Sequence, residues 1–377
     1  MNIQNFKRIL RLLFLTISVS LLMNSCGVLP TKQDYAQKAH SNRHEILVIA
    51  SSEGVVNSYS FNPIDFKAEH TGSFTSPMPS SLVINRTDDV LYIANNTSEK
   101  ATITATKFNK FSGELSEINQ SYVVGHGPVA IDLFDNKLVS ANEVDGSITL
   151  FMLDKILGSL SEAEWRIDLG DGAVSFPVDA TFSIDGNHLF VTDKGQDKIF
   201  HFLANNNVPP LSIDHRTVSF PEKSRPVQMI FDQSGKYAYV ICEDDPNIYH
   251  FAYNNGDLEM LNKYDTHRPF DAKGTSIAIH PRGNFLYTTY SGATGGIAVF
   301  GRNPQTGALK RIENQKIGLH PVKCTISPSG DFVAIAAEGA SQVEIHKLNP
   351  ISGLLSQTIS TINIFRPTDV IWKSIKR

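Results

Sequence analysis

From residue 45 to the end, apolar and polar positions alternate in short runs separated by turn residues, the period-two pattern of strands rather than helices. Runs such as LYIAN, LVSAN, LFVTD, AYVICE, LYTTY and VAIAAE are almost continuously apolar, β-branched or aromatic. They read as strands buried on both faces. Each is preceded by a turn such as SIDGNH, DQSGKY, HPRGNF or SPSGDF, where glycine takes up a left-handed backbone. Alternating strands follow (ITLFML, KIFHFL, NIYHFAY, GIAVFG, VEIHKL), and then a more polar fourth segment after turns such as NNGDLEM and QTGALKR.

The pattern repeats. Prolines 79, 128, 177 and 226 open successive units at a spacing of 49 residues, and the next step lands on Thr275, where GTSIAIHP keeps the pattern without the proline. Pro321 and Pro367 follow at intervals of 46. Four strands in each unit of this length predict propeller blades. Six units are complete. The seventh is split: Pro367 to Trp372 supplies a lone first strand, and Ile46–Ala50, Val55–Phe61 and Phe66–Phe74 supply the second, third and fourth. The chain is therefore expected to be an all-β, seven-bladed β-propeller with four antiparallel strands per blade over residues 44–377, its ring closed when the C-terminal strand joins the N-terminal ones. Closure removes the unpaired edges of an open sheet.

The first 43 residues break the pattern. Lys7, Arg8 and Arg11 precede an apolar stretch from Leu12 to Met23, which is the length of a signal-peptide core and short for a membrane span. It ends in Leu-Met-Asn-Ser-Cys-Gly, a lipobox-like sequence centred on Cys26. Residues 1–25 are thus expected to be a lipoprotein signal peptide and residues 26–43 a lipidated cysteine with a flexible tether. That places the protein in a bacterial cell envelope, on the outer membrane, with the membrane as a partner through its anchor. Cys242 and Cys324 lie within apolar strands of different repeats and are expected to be buried free thiols; there is no CxxC motif.

Composition narrows the chemistry. The 377 residues carry a net charge of −4 with no basic cluster beyond residue 11, which argues against a nucleic-acid surface. No HExxH, GxSxG, Walker or EF-hand pattern occurs, so no metal and no cofactor is expected. Candidate chemistry gathers on one face of the ring, where fourth strands pass to first strands and second strands turn into third. His126, Arg225, His320 and Arg366 flank the blade-opening prolines. Asn95, Glu143, Asp193, Lys194, Glu243, Asp244 and Glu338 lie in the second-to-third strand loops. A mixed ring of carboxylates, arginine and histidine can bind a small polar ligand or a protein partner; the same groups can also cap strand ends or face water.

The segments GHGPVAIDLF, DATFSIDGNHLFVTDKGQDKIFHF, GKYAYVICEDDPNIYHF and GLHPVKCTISPSGDFVAIAAEG resemble the lactonase-type seven-bladed propellers, a family that includes bacterial 6-phosphogluconolactonases and carboxymuconate-lactonizing enzymes. The resemblance covers residues 44–377 and implies active residues of His, Arg and Glu type at successive blade openings. Most are replaced here: Pro177-Val178-Asp179-Ala180, Pro226-Val227-Gln228, Thr275-Ser276-Ile277, Tyr290-Ser291-Gly292 and Pro321-Val322 stand at the family's positions. Glu243 alone matches. Export also separates the chain from 6-phosphogluconolactone, a cytosolic sugar phosphate. The reading favoured on these grounds is a binding or scaffold propeller with a degenerate lactonase site. Its alternative is an envelope hydrolase of a lactone or sugar-derived substrate. In that case Glu243, Arg225, His126 and His320 would be catalytic, and Glu143, Asp179, Asp193, Glu338 and Arg366 would bind the ligand.

Overall fold

The computed structural model describes residues 43–376, apart from 86–88, 110–111, 171–172 and 205–210. The expected signal peptide, the lipidation site Cys26 and the tether up to residue 42 lie outside the described residues. Among the described residues there are twenty-eight strands, β1 to β28 in chain order, and no helix. They form seven sheets of four, six of them from consecutive strands. The seventh, blade 1, has the order β28 (Pro367–Lys376), β1 (Arg43–Ser51), β2 (Val55–Phe61), β3 (Ala68–Thr75). This is the split blade expected from the repeat.

Burial follows strand position. Second strands such as Val90–Asn95, Lys137–Asn142 and Phe332–Ala337 are buried at every residue, because neighbouring blades cover both their faces. The outermost strand Leu160–Asp168 alternates buried or half-buried with exposed positions. Seven apolar clusters fill the spaces between blades, and one of them seals the ring. In it Phe61 of blade 1 packs at 5.0 Å on Phe332 of blade 7 and at 5.5 Å on Trp372 of the closing strand.

The innermost strands of blades 2 to 7 are β4 (Pro79–Ile84), β8 (Pro128–Phe134), β12 (Pro177–Phe182), β16 (Pro226–Phe231), β20 (Lys273–Ile279) and β24 (Pro321–Ile326). Each carries a register shift just after its start, as between Pro226 and Gln228 or Pro321 and Lys323. A bulge re-aims the side chain that follows it, and here the third-position side chain reaches the next blade. Asp369 accepts from Leu82 N at 2.7 Å, Ser81 from Ile131 N at 3.3 Å and Asp179 from Met229 N at 2.9 Å. Gln228 accepts from Ile277 N at 2.9 Å and Ser276 from Cys324 N at 3.2 Å. Blade 3 has Ala130 at that position, and Asp132 two residues on accepts from Phe182 N at 2.8 Å instead. Blade 7 has Lys323, which has no acceptor to offer. Its ammonium is pulled down by burial, but Asp369 and Asp179, with smaller contributions from Cys324 and Asp132, outweigh that and hold it above the ordinary lysine range. Burial in turn raises all three carboxyls, Asp132 to about 7. Asp132, Asp179 and Lys323 are half-buried, whereas Asp369 is 4% exposed.

First strands run from the face carrying the prolines (the top) to the opposite face, second strands return, and so on around each blade. The connections between blades and the second-to-third loops therefore share the top. The first described strand, β1, begins at the bottom, as does the end of β28.

Candidate functional site

Five of the seven blade openings share one backbone device. The residue just before the proline is left-handed: Met78 (φ 52°), Gly127 (73°), Arg225 (56°), His320 (47°) and Arg366 (40°). In each case its carbonyl accepts from the amide that starts the same blade's second-to-third loop, as in Glu243 N to Arg225 O at 2.8 Å and Glu338 N to His320 O at 3.0 Å. Only Gly127 adopts this backbone without a Cβ penalty; the other four each bear roughly 1–2 kcal/mol of strain. The device ties each blade opening to its own loop.

At Arg225 and Glu243 it does more. The two side chains meet, with Arg225 Nε 3.5 Å from Glu243 Oε2 and 3.6 Å from Asp244 Oδ2. Lys194 arrives from blade 4, placing Nζ 2.6 Å from Glu143 Oε1 of blade 3 and 4.0 Å from Glu243 Oε2. Lys273, at the opening of blade 6, pairs with Asp244 Oδ1. The result is an unbroken sequence of alternating charge, Glu143, Lys194, Glu243, Arg225, Asp244, Lys273, across four consecutive blades. All but Lys273 are between one-fifth and two-fifths exposed, open enough to meet a ligand. Arg225 Nε is itself buried and makes no hydrogen bond, so its two carboxylate neighbours attract it without satisfying its donor.

The backbone beneath is fixed by groups that the sequence reading did not single out. Asp197 accepts from Arg225 N at 2.6 Å and from Lys223 N at 2.7 Å. The half-buried guanidinium of Arg268 donates to the carbonyls of Cys242 (3.1 Å), Glu243 (2.7 Å) and Asp245 (3.0 Å). Burial lowers the Arg268 pKa from its ordinary value, against the pull of Cys242 and Asp245. Three carbonyls converging on one cation tie the Glu243 loop to Arg268 by charge-assisted hydrogen bonds.

The other candidates are placed elsewhere. His126 lies at the opening of blade 3 with Nδ1 3.5 Å from Asp145, which also pairs with Arg166 at 2.9 Å. His320 is exposed at the opening of blade 7, its ring against Gly339. Arg366 pairs with Glu338 at 2.5 Å across blades 1 and 7. Asp179 belongs to the channel-wall hydrogen bonds described above. Asp193 is fully buried and caps its loop, accepting from Ser175 Oγ, Phe176 N, Gly195 N and Gln196 N. Asn95 is likewise buried, bonded to Ser76, Thr102 and Thr104. Cys242 and Cys324 are buried free thiols, with burial raising both pKa values, Cys324 to about 11. Among the described residues no cluster of His, Cys, Asp or Glu is arranged to hold a metal.

A cavity of about 730 Å³ lies on the outer rim between blades 1 and 2, lined by Thr71, Ser73, Lys107 and Glu114 among others. It is remote from the charge sequence, and chemistry rather than volume locates the site at the top of blades 3 to 6.

Comparison with known proteins agrees with this architecture. The family model described as lactonase, seven-bladed beta-propeller, matches residues 46–372. The chain is 29% identical over 271 residues to a 6-phosphogluconolactonase of Formosa agariphila, covering 68% of this chain and 76% of that one. It is 23% identical over 305 residues to a 6-phosphogluconolactonase of Bacillus subtilis, covering 78% and 86% respectively. The fold superimposes on the solved structure of the Pseudomonas aeruginosa periplasmic gluconolactonase with a TM-score of 0.82 at 23% identity, covering 89% of this chain and all of that one.

Proposed function

Since the chain belongs to the seven-bladed β-propeller lactonase family, we propose that it hydrolyses a sugar-derived lactone at the top of blades 3 to 6. The observation that carries this reading is the meeting of Glu243 with two cations from different blades, Arg225 at 3.5 Å and Lys194 at 4.0 Å. Lactone opening needs a group that takes a proton from water and a positive group where the carbonyl oxygen becomes an anion. In this reading Glu243 accepts a proton from water as the water oxygen bonds to the carbonyl carbon. Arg225 and Lys194 hold the oxyanion. As the carbonyl re-forms, the bond to the ring oxygen breaks, and the departing oxygen takes up the proton from Glu243. The product is an open hydroxy acid. Glu143, 2.6 Å from Lys194 Nζ, positions that cation.

Charge balance favours a neutral substrate. Each of Lys194, Arg225 and Lys273 already faces a carboxylate, which leaves no surplus positive charge for a phosphate dianion. An unphosphorylated aldonolactone is therefore expected to be turned over faster than its 6-phosphate. This also suits an exported protein, and we infer that Cys26 carries the lipid anchor that the leader sequence predicts. Replacing Cys26 with Ser should move the protein from the membrane to the soluble fraction; unchanged membrane association would rule the anchor out.

The direct test is hydrolysis of glucono-δ-lactone by the wild type and by Glu243→Gln. Loss of a general base corresponds to a fall of roughly 10²–10⁴-fold. A wild type that binds lactone or aldonic acid without turnover would instead restore the reading of a ligand-binding propeller.

A further inference from the structure

The turns joining third to fourth strands lie on the bottom face, and several share one build. In blades 1, 3, 6 and 7 they open with Asn62, Asp154, Asn303 and Asn349. The carbonyl of each accepts from the amide four residues on, Phe66 N at 2.9 Å and Gly158 N, Gly307 N and Gly353 N at 2.8 Å. Its side-chain oxygen accepts from the amide two residues on, Ile64 N at 3.0 Å, Ile156 N at 2.8 Å, and Gln305 N and Ile351 N at 2.9 Å. The third residue is thereby held at the tip of the turn. Ile64, Ile156 and Ile351 are 63%, 94% and 90% exposed, and Leu157 beside Ile156 is 66% exposed. Gln305 takes the same place in blade 6, so the turn itself does not ask for an apolar residue. The core gains little from a side chain left in water. Blade 5 closes with the polar pair Asn255-Gly256, and the corresponding residues of blades 2 and 4 lie outside the described ones.

The apolar tips fall on one side of the ring, on blades 7, 1 and 3, while the tips of blades 5 and 6 are polar. Blade 1 is also where the chain enters the ring, because β1 begins at Arg43 on this same bottom face. Only residues 27–42 separate Arg43 from Cys26, a reach of at most about 60 Å. A lipid on Cys26 therefore keeps the bottom of blade 1 close to a bilayer, at an effective concentration on the order of millimolar, where weak contacts are enough. The tips project singly from separate blades and form no continuous patch for a protein partner to cover. A deformable lipid surface can take each side chain between its headgroups. We propose that the bottom of blades 7, 1 and 3 docks on the membrane surface, with Ile64, Ile156, Leu157 and Ile351 inserted at the headgroup level. Docked in this way, the ring turns the top of blades 3 to 6 away from the bilayer and toward water-soluble ligands. The proposal rests on the lipid anchor inferred for Cys26 and not on the lactonase reading.

The test places a nitroxide on one introduced cysteine, in Ile156→Cys, Ile351→Cys or, as the blade 6 reference, Gln305→Cys; Cys242 and Cys324 are buried and do not compete for the label. Each mature lipidated variant is reconstituted into vesicles of phosphatidylethanolamine and phosphatidylglycerol. Relaxation of the label by oxygen is then compared with relaxation by a water-soluble nickel chelate. Labels at positions 156 and 351 should meet the chelate about tenfold less often, relative to oxygen, than the label at position 305, as for groups roughly 5–10 Å into the headgroup boundary. Equal ratios at the three positions overturn the docking while leaving the anchor intact. The mass of the N-terminal peptide reads the anchor separately. If Cys26 carries no lipid, the anchor reading falls, and the same labels decide the docking with vesicles added to the unlipidated protein. Immersion at positions 156 and 351 but not 305 then supports it, and any other pattern overturns it.

Discussion

Arg225 is left-handed at φ 56°, so replacing it by glycine and by alanine separates backbone strain from chemistry. Three terms act on stability. Relief of the left-handed strain gains about 1–2 kcal/mol for glycine and nothing for alanine. The greater freedom of glycine in the unfolded chain costs about 0.5–1 kcal/mol. Loss of the ion pairs to Glu243 and Asp244 at 3.5 and 3.6 Å costs both variants about 0–1 kcal/mol, because the side chain is more than a third exposed. The bond from residue 225 N to Asp197 at 2.6 Å involves only the backbone and survives both changes. Arg225→Gly should therefore stay within about 1 kcal/mol of the wild type, a Tm shift of no more than about 3 °C, and lie above Arg225→Ala. Hydrolysis should fall roughly 10²–10³-fold in both, the scale of losing one stabilising group at a developing oxyanion. The assay is thermal unfolding alongside lactone hydrolysis on the same preparations. Alanine as stable as glycine would refute the strain reasoning, and undiminished turnover in either variant would remove Arg225 from the site.

Other expectations follow from the ring and its interior. Asp369→Ala leaves the buried Leu82 amide without the acceptor now 2.7 Å away. Denaturant unfolding should show a loss of about 1–3 kcal/mol, and an unchanged midpoint would mean that the closing strand does not depend on this bond. Burial lowers His201 and His250 to about 4, so between pH 6.5 and 4 the unfolded chain binds protons that the native state refuses. Stability from these two groups is present above pH 6.5 and is lost as pH falls toward 4, by up to about 3 kcal/mol each. Asp132, raised to about 7, works oppositely, taking its proton in the native state first. His250→Phe keeps the stack on Tyr239, now at 5.0 Å and 8°, and should flatten the acid side of a Tm-against-pH curve; an unaltered slope would show that His250 does not drive the acid loss.

The fold was legible because its period is written in residues that physics constrains. A proline or its equivalent stands wherever a first strand begins, and the split of one blade between the two chain ends follows from counting. The site was legible in part. The repeat puts Glu143, Lys194 and Glu243 in equivalent loops on one face, but each is about 50 residues from the next, and only the closed ring shows that their side chains meet. Asp179 and Asp193 look like free carboxylates in sequence, yet one serves the neighbouring blade's backbone and the other caps its own loop. A sequence does not record whether an oxygen is already occupied. Nor does it record the left-handed backbone at Arg225, since residues before proline ordinarily take an extended conformation. His320 shares with Arg225 the position just before an opening proline, whereas His126 stands one residue earlier, with Gly127 in the left-handed place.

In the proposed function Glu243, set between Arg225 and Lys194, opens lactones. Steady-state hydrolysis of glucono-δ-lactone by the purified wild type and Glu243→Gln tests it most directly, with a 6-phosphorylated lactone as comparison. Wild-type turnover should favour the unphosphorylated lactone and fall at least about a hundredfold in the variant. Turnover equal in the two proteins would contradict it.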